Sequence, residues 1–515
     1  MSLVKSSATI GFFTLLSRIT GFVRDVIMAN MIGASWLSDA FFVAFKLPNF
    51  FRRLFAEGAF NVAFIPSFAS ILTSEGRDEA MKFASEVLSI LLLVLLVLNA
   101  VFIVLMPWIT PLFAPGFTDT PEKFDLTVAL SQITFPYILF ISLVSLLGGI
   151  LNSFNKFAAP AANPILLNVC MILGMMFLTA YTATPAHALA ISVFVAGIVQ
   201  LGWLIAICRN HNMLPSLLVP RITPKVKTML LLMAPAALGS GVQQLNLLVD
   251  VIIASHIPDA VSYLYYADRI TELPIGMIGV AIGTAMLPMM SKQIREGNKL
   301  GAQNSMNRGI ELVMLFGLPA TAALLALAEP IIRVLYYHGA FNAHDMVATY
   351  TALMAFTIGL PAFLLVKVFA PGFFANHDTK TPFKIAVLCV VINLILNLTL
   401  SIWLAHVGMA LATSIAGWVN AILMGYILYK RGIFVPDMTL KKRLLRMSVS
   451  AKIMVLGVIL CNSLLAAFYH EGMVMRTATL SAVIALGIAL YAIMAWYFNA
   501  VDKEQIKKLF KPASL

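Results

Sequence analysis

The chain has 515 residues, 60% of them hydrophobic and only 11% charged, with a mean hydropathy of +0.92. Soluble domains are nearer ~45–50% apolar and ~25% charged, so this composition excludes an ordinary soluble enzyme and implies an integral membrane protein. Apolar runs recur from end to end, which leaves no room for a separate soluble domain of ordinary size.

In chain order the runs predict fourteen membrane-spanning helices, near 8–31, 36–72, 84–112, 127–153, 161–182, 186–208, 228–255, 261–290, 306–332, 346–375, 383–405, 408–429, 448–469 and 477–499. Several exceed the ~20 residues that cross the hydrocarbon, which implies tilt or extension beyond it. Lys5 and the apolar stretch after it imitate a signal peptide, but Arg18 and Arg24 interrupt that stretch. The expectation is an uncleaved first spanning helix.

Segment 1 carries Arg18 and Asp25 seven residues apart, on nearly one face, with Arg24 about 100° away. Segment 2 repeats charge at intervals of seven, through Asp39, Lys46 and Arg53, with Asn49 between and Glu57 four residues beyond Arg53. Pro48 predicts a kink and Gly58 a loosened turn, so the helical wheel leaves open whether Arg52 or Arg53 faces inward. Segment 7 holds Asp250 with no base within a turn, and segment 8 holds Asp268, Arg269 and Glu272 within one turn. Lys367 lies in segment 10, Asn393 and Asn397 share a face of segment 11, and Thr413 lies in segment 12.

Seven bases therefore lie in the interior of spanning segments, away from the end-residues Arg308, Lys384 and Lys452: Arg18, Arg24, Lys46, Arg52, Arg53, Arg269 and Lys367. A charge at the bilayer centre costs about 2.5–3.5 kcal/mol even on the lenient insertion scale, so such residues usually face a wet cavity. Together they point to an anion held within the membrane. Arg suits a diphosphate through its planar two-donor fork, and Lys adds a point charge. The competing reading is structural pairing: Arg24 with Asp25, Arg53 with Glu57, Arg269 with Glu272. Asp39 and Glu57 then orient the bases or gate the cavity. Asp250 with Asn393, Asn397 and Thr413 offers the oxygen ligands of a Na⁺ site, or a proton carrier at Asp250. Interhelical hydrogen bonding is the alternative.

The placement of the remaining bases explains the net charge of +12. Of the 35 Lys and Arg, 25 lie at the N-terminus, in the even-numbered loops and the segment ends beside them (Arg308, Lys384 and Lys452), and in the C-terminal tail. The odd-numbered loops hold only Lys123, Arg333 and Arg476. The positive-inside rule then expects both termini in the cytoplasm, and the basic excess is an orientation signal rather than a nucleic-acid footprint.

The chain also repeats itself. Asp25-Val26-Ile27-Met28-Ala29 returns as Asp250-Val251-Ile252-Ile253-Ala254. Ala44-Phe45-Lys46-Leu47 parallels Ala267-Asp268-Arg269-Ile270, Pro66 parallels Pro288, and Pro160 parallels Pro382, at offsets between 221 and 225. Six helices per copy, an even number, give both copies one orientation, related by a pseudo-twofold along the membrane normal. The expected architecture is all-α: an N-lobe at 1–215 (helices 1–6), a C-lobe at 216–435 (helices 7–12), and helices 13 and 14 at 436–515. The copies differ chemically, because Gln243 and Val249 stand where Arg18 and Arg24 should recur.

Cys170, Cys208, Cys389 and Cys461 fall in apolar runs without CxxC spacing and read as packing residues, and the eight histidines show no metal spacing. No Walker A motif and no clustered acid, base or metal set suggests an enzyme.

The stretch Ser17-Arg18 through Gly21-Phe22-Val23-Arg24-Asp25 resembles the opening of the MurJ/MviN family of lipid II flippases. So do Ser38-Asp39-Ala40-Phe41-Phe42-Val43-Ala44-Phe45-Lys46-Leu47-Pro48-Asn49, Arg52-Arg53-Leu54-Phe55-Ala56-Glu57-Gly58, Tyr265-Tyr266-Ala267-Asp268-Arg269 and Val366-Lys367-Val368-Phe369-Ala370-Pro371-Gly372. The resemblance covers essentially the full length. It implies the multidrug/oligosaccharidyl-lipid/polysaccharide exporter fold, without a cofactor. The implied cargo is the undecaprenyl-diphosphate-linked peptidoglycan precursor, flipped across a bacterial cytoplasmic (inner) membrane by a monomer among membrane lipids and cell-wall synthesis proteins. It implies that Arg18, Arg24, Arg52 and Arg269 are cavity arginines, favouring Arg52 over Arg53, and that helices 13 and 14 form a groove for the prenyl tail. Asp39, Lys46, Glu57, Asp268 and Lys367 also fall on matching motif positions. The coupling ion, Na⁺ or H⁺, lies outside these motifs. The rival readings are a polysaccharide-lipid or multidrug exporter of the same fold and, from another class, a polyprenyl-phosphate-processing membrane enzyme.

Overall fold

The computed structural model describes residues 3–501, apart from the side chains of residues 3–8, 56–57, 234, 236–243, 245, 280–281, 284 and 470. The expected side chains of Glu57 and Gln243 therefore lie outside the described residues. The described chain is helical throughout its long elements and contains no strand. It runs through Leu3–Ile32, Trp36–Ser74, Arg77–Phe113, Pro121–Ser153, Ala158–Phe177, Pro185–Asn210 and Pro224–Ala254. It continues through 260–295, Lys299–Ala326, Ala343–Phe374, Lys380–Lys430, Met438–Leu464 and Met473–Tyr497. Among the described residues ten helices are long and apolar enough to cross a membrane. Lys380–Lys430 is two helices joined at Ala405, whose φ of 47° and ψ of −131° break the helical path. The order of segments is consistent with the fourteen spans read from the sequence.

Local chemistry sets the boundaries. Thr-Pro pairs begin helices at Thr184-Pro185 and Thr223-Pro224, where each threonine hydroxyl accepts a backbone N–H and proline occupies the first turn. Asn342 and Asp345 cap one another reciprocally, and Asp437 accepts from Leu440 N–H. Among the described residues two helices carry a π-helical stretch: one covers Arg52–Phe60, after Pro48, and another covers Ile275–Gly279, directly after Pro274. Each proline removes a ladder donor, and the helix re-registers after it. Residues 52 and 275 are equivalent under the internal repeat, so both copies carry the same irregularity.

The chain divides into two compact units. One comprises the residues up to Ser262 together with His338–Phe341, and the other comprises Tyr263–Tyr337 with the residues from Asn342 onward. The Pro224–Ala254 helix belongs to the first unit, packed on the Arg52–Phe60 stretch and on Arg77–Phe113. Aromatic stacking fills that unit's core, as in Phe102 on Phe135 at 4.7 Å and Phe60 on Phe64 at 5.1 Å between ring centres. Leu93, Val97, Val104, Trp108 and Leu112 remain exposed along Arg77–Phe113, as a lipid-facing surface requires.

Candidate functional site

In the first unit the arginines differ in what holds them. Arg24 is buried, and its Nε and Nη2 donate to Asp25 Oδ1 at 3.0 and 2.6 Å. Its Nη1 donates to Asn168 Oδ1 at 3.0 Å, and the Asn168 amide in turn donates to Ser17 O and Thr20 Oγ1. The expected pairing of Arg24 with Asp25 is thus present, with a third member from the Ala158–Phe177 helix. Arg18 is half-buried on the same Leu3–Ile32 helix and makes no hydrogen bond or ion pair among the described residues. One helix therefore carries one neutralised guanidinium and one without an acid.

On the next helix Asn49 is the organiser. Its amide donates to Phe45 O at 2.8 Å, and its carbonyl accepts from Arg52 Nε at 3.0 Å. Arg52 is half-buried, whereas Arg53 is exposed and makes no ion pair or hydrogen bond among the described residues. Lys46 is also exposed. The π-helical stretch begins at Arg52, which explains why an ideal wheel could not assign these two arginines.

Asp39 stands apart from that basic set. Its side chain is fully buried, and Oδ2 accepts from Lys123 Nζ at 2.7 Å. Oδ1 accepts from Ser262 N–H at 2.8 Å and from its hydroxyl at 2.5 Å. Lys123, counted from sequence as an odd-loop residue, is instead inside the Pro121–Thr134 helix, 10% exposed, with Nζ 4.1 Å from the centre of the Phe117 ring. Nearby turns of the same unit also approach closely. Gly116 N–H donates to Ser255 Oγ at 3.0 Å, and Ala340 N–H donates to Asn30 O at 2.8 Å. These contacts join the odd-numbered loops at one end of the first unit.

In the second unit Arg269 pairs with Glu272 at 3.2 Å across one turn, and both are partly solvated. Asp268 and Lys367 are exposed. The Lys367 stem crosses Gly279 so closely that a methyl group there would lie 3.2 Å from Lys367 Cγ. Asn397 Nδ2 donates to Asn393 Oδ1 at 3.0 Å, and Asn393 Nδ2 reaches Thr413 Oγ1 at 3.3 Å. Three of the four coupling-ion candidates are thus one hydrogen-bonded chain, while Asp250 belongs to the first unit. Among the described residues no group of three His, Cys, Asp or Glu could hold a metal ion.

Chemically, the described residues of each unit offer guanidinium and ammonium donors. Such a set can bind and release an anion. Sequence reasoning missed Lys123, Asn168 and Ser262. Lys123 carried a usable signal, being one of three bases on a face otherwise cleared of them; Asn168 and Ser262 carried none.

The chain is similar over residues 28–482 to the family model described as lipid II flippase MurJ. A "Probable lipid II flippase MurJ" of Rhizobium tropici is 41% identical over 517 residues, covering 99% of this chain and 97% of that protein. The solved structure of "Lipid II flippase MurJ, inward closed conformation" matches with a TM-score of 0.79 at 29% identity, over 95% of this chain and 98% of that one. An inward-facing multidrug resistance MATE family transporter of the MOP superfamily matches with a TM-score of 0.66 at 15% identity. It covers 82% of this chain and 96% of its own, a likeness of fold alone.

Proposed function

The chain belongs to the lipid II flippase MurJ family, and on that premise we propose that it carries lipid II from the cytoplasmic to the periplasmic leaflet of a bacterial inner membrane by alternating access. It is a multi-pass transporter rather than an enzyme. Arg18, Arg24, Arg52 and Arg269 form the diphosphate clamp, assisted by Lys46, Asn49 and Lys367. The observation that carries this reading is Arg18: a half-buried arginine in an apolar helix with no acid bound to it among the described residues, one turn and a half from an arginine that is neutralised. A charge left uncompensated there favours an anionic guest.

Asp25, Asp39, Arg53, Glu57, Asp268 and Glu272 position those bases or gate access. The buried Asp39–Lys123–Ser262 cluster supports gating at the odd-loop end, because breaking it must accompany any opening there. The prenyl tail stays in lipid along helices 13 and 14, outside the two six-helix lobes at 1–215 and 216–435. With both termini cytoplasmic, an inside-negative potential drives an anion outward by about 2.3 kcal/mol per charge per 100 mV. Na⁺ or H⁺ at Asp250, Asn393, Asn397 and Thr413 would reset the carrier. Residues 216–262 of the second lobe belong to the first compact unit.

The test is depletion of the protein with measurement of which leaflet holds lipid II. Wild type restores periplasmic lipid II, while Arg18→Ala and Arg269→Ala at equal membrane levels and equal thermal stability do not. Full rescue by both variants would overturn the clamp. Arg24→Ala is a poorer probe, since it also strands the buried Asp25.

A further inference from the structure

Residues 213–223 connect Pro185–Asn210 to Pro224–Ala254 without regular secondary structure, yet side chains from the first turns of Arg77–Phe113 hold this linker and its approach. Arg77 Nη2 donates to His211 O at 3.2 Å and to Asn212 O at 2.7 Å. Ser85 Oγ accepts Ser216 N–H at 3.0 Å, and Ser89 Oγ accepts Leu218 N–H at 2.8 Å. The spacings match, because two extended residues and four helical residues both advance roughly 6–7 Å. The chain then returns: the Thr223 hydroxyl donates to Glu86 Oε2 at 2.7 Å, and Lys225 reaches Glu75 at 2.7 Å and Glu79 at 3.4 Å.

The linker is therefore a hairpin laid along the helix. It climbs from the level of Arg77 to that of Ser89, about 18 Å along the helix axis, and descends again. At its tip Leu217, Val219 and Ile222 are 66%, 72% and 68% exposed. That level adjoins the exposed Leu93 and Val94 of the lipid-facing helix surface. Pro215 and Pro220 lack backbone donors, which lowers the cost of bringing this backbone out of water. Arg209 and Lys227 are exposed around the base of the hairpin, and Arg221 is exposed beside its apolar tip. Apolar tip and basic flank together are the chemistry of an interfacial anchor.

We propose that residues 213–223 form an interfacial hairpin that seats Leu217, Val219 and Ile222 at the acyl–headgroup boundary of an anionic leaflet, with Arg221 on the lipid phosphates. The anchor is independent of cargo. It fixes the depth of the Arg77–Phe113 helix end at the point where the first unit's helices 6 and 7 are joined.

The full chain, with Cys170, Cys208, Cys389 and Cys461 replaced by alanine, is labelled with an environment-sensitive fluorophore at Leu217→Cys, Val219→Cys or Ile222→Cys in nanodiscs. Controls are Leu93→Cys on the lipid face and Asn212→Cys at the hairpin base. Brominated acyl chains should quench the three tip sites as they quench 93, with protection from aqueous iodide; site 212 should behave oppositely. Tip sites that behave like 212, while 93 still reports lipid, would overturn the proposal. Replacing phosphatidylglycerol by phosphatidylcholine, or making Arg221→Glu in anionic discs, should each reduce bromolipid quenching at 219. An unchanged signal in both would overturn the anionic-lipid assignment.

Discussion

Removing Lys123 should destabilise this protein far more than removing an ordinary surface lysine. Asp39 is 0% exposed and Lys123 10%, with their charged atoms 2.7 Å apart. Lys123→Met leaves a buried carboxylate with only the Ser262 donors, and stranding one member of a buried pair costs about 3–5 kcal/mol. The exposed pair of Lys82 and Glu79, at 61% and 44% exposure and 3.5 Å, sets the contrast; such pairs contribute about 0–1 kcal/mol. Asp39→Asn should cost less than Lys123→Met, because the stranded ammonium still lies over the Phe117 ring and retains a path to water. The double variant Asp39→Asn/Lys123→Met should recover most of the loss: an amide oxygen can still accept Ser262 N–H, and no charge is buried. Thermal unfolding of the detergent-purified chain reads all four variants, with Lys82→Ala as reference. If Lys123→Met melts with Lys82→Ala, or the double variant is no better than Lys123→Met, the electrostatic argument fails.

Three further outcomes follow from the same geometry. Gly33 has φ of +63°, and an added Cβ would lie 2.6 Å from Ala340 O, so Gly33→Ala should lose more than about 1–3 kcal/mol of stability in the same melts, with Gly339→Ala behaving alike. Asp378 lies in a loop outside the spans, where the Thr381 hydroxyl and N–H, and then Arg431, hold its carboxyl well below the usual range. A lowered folded pKa gives stability that is complete above the unfolded value near ~4 and is lost as pH falls through the folded one. Asp378→Asn should therefore lower the melting temperature uniformly from pH 5 to 8 and weaken its decline in stronger acid; a wild-type profile in that variant would refute the linkage. Asp250→Asn should remove any Na⁺ or pH dependence of flipping in proteoliposomes, and intact dependence would dismiss the ion assignment.

Helix order, the repeat and the family motifs were legible because each is a one-dimensional pattern: apolar length, constant offset and local residue identity. Partners were not. Periodicity says which residues share a face, but not which helix lies opposite, so Asn168, 144 positions from Arg24, and Ser262, 223 positions from Asp39, left no trace in either pattern. The Arg52/Arg53 question shows a second limit. Pro48 announced a disturbed helix, but the π-helical register that follows decides which arginine meets Asn49. The distinction has a functional consequence. Counting acids against bases treats the buried arginines as equivalent, whereas Asp25 and Asn168 already occupy Arg24 and nothing described occupies Arg18. An arriving diphosphate gains most from a base with no acid to displace, so Arg18→Ala should weaken cargo binding while leaving stability intact. Arg24→Ala should weaken both.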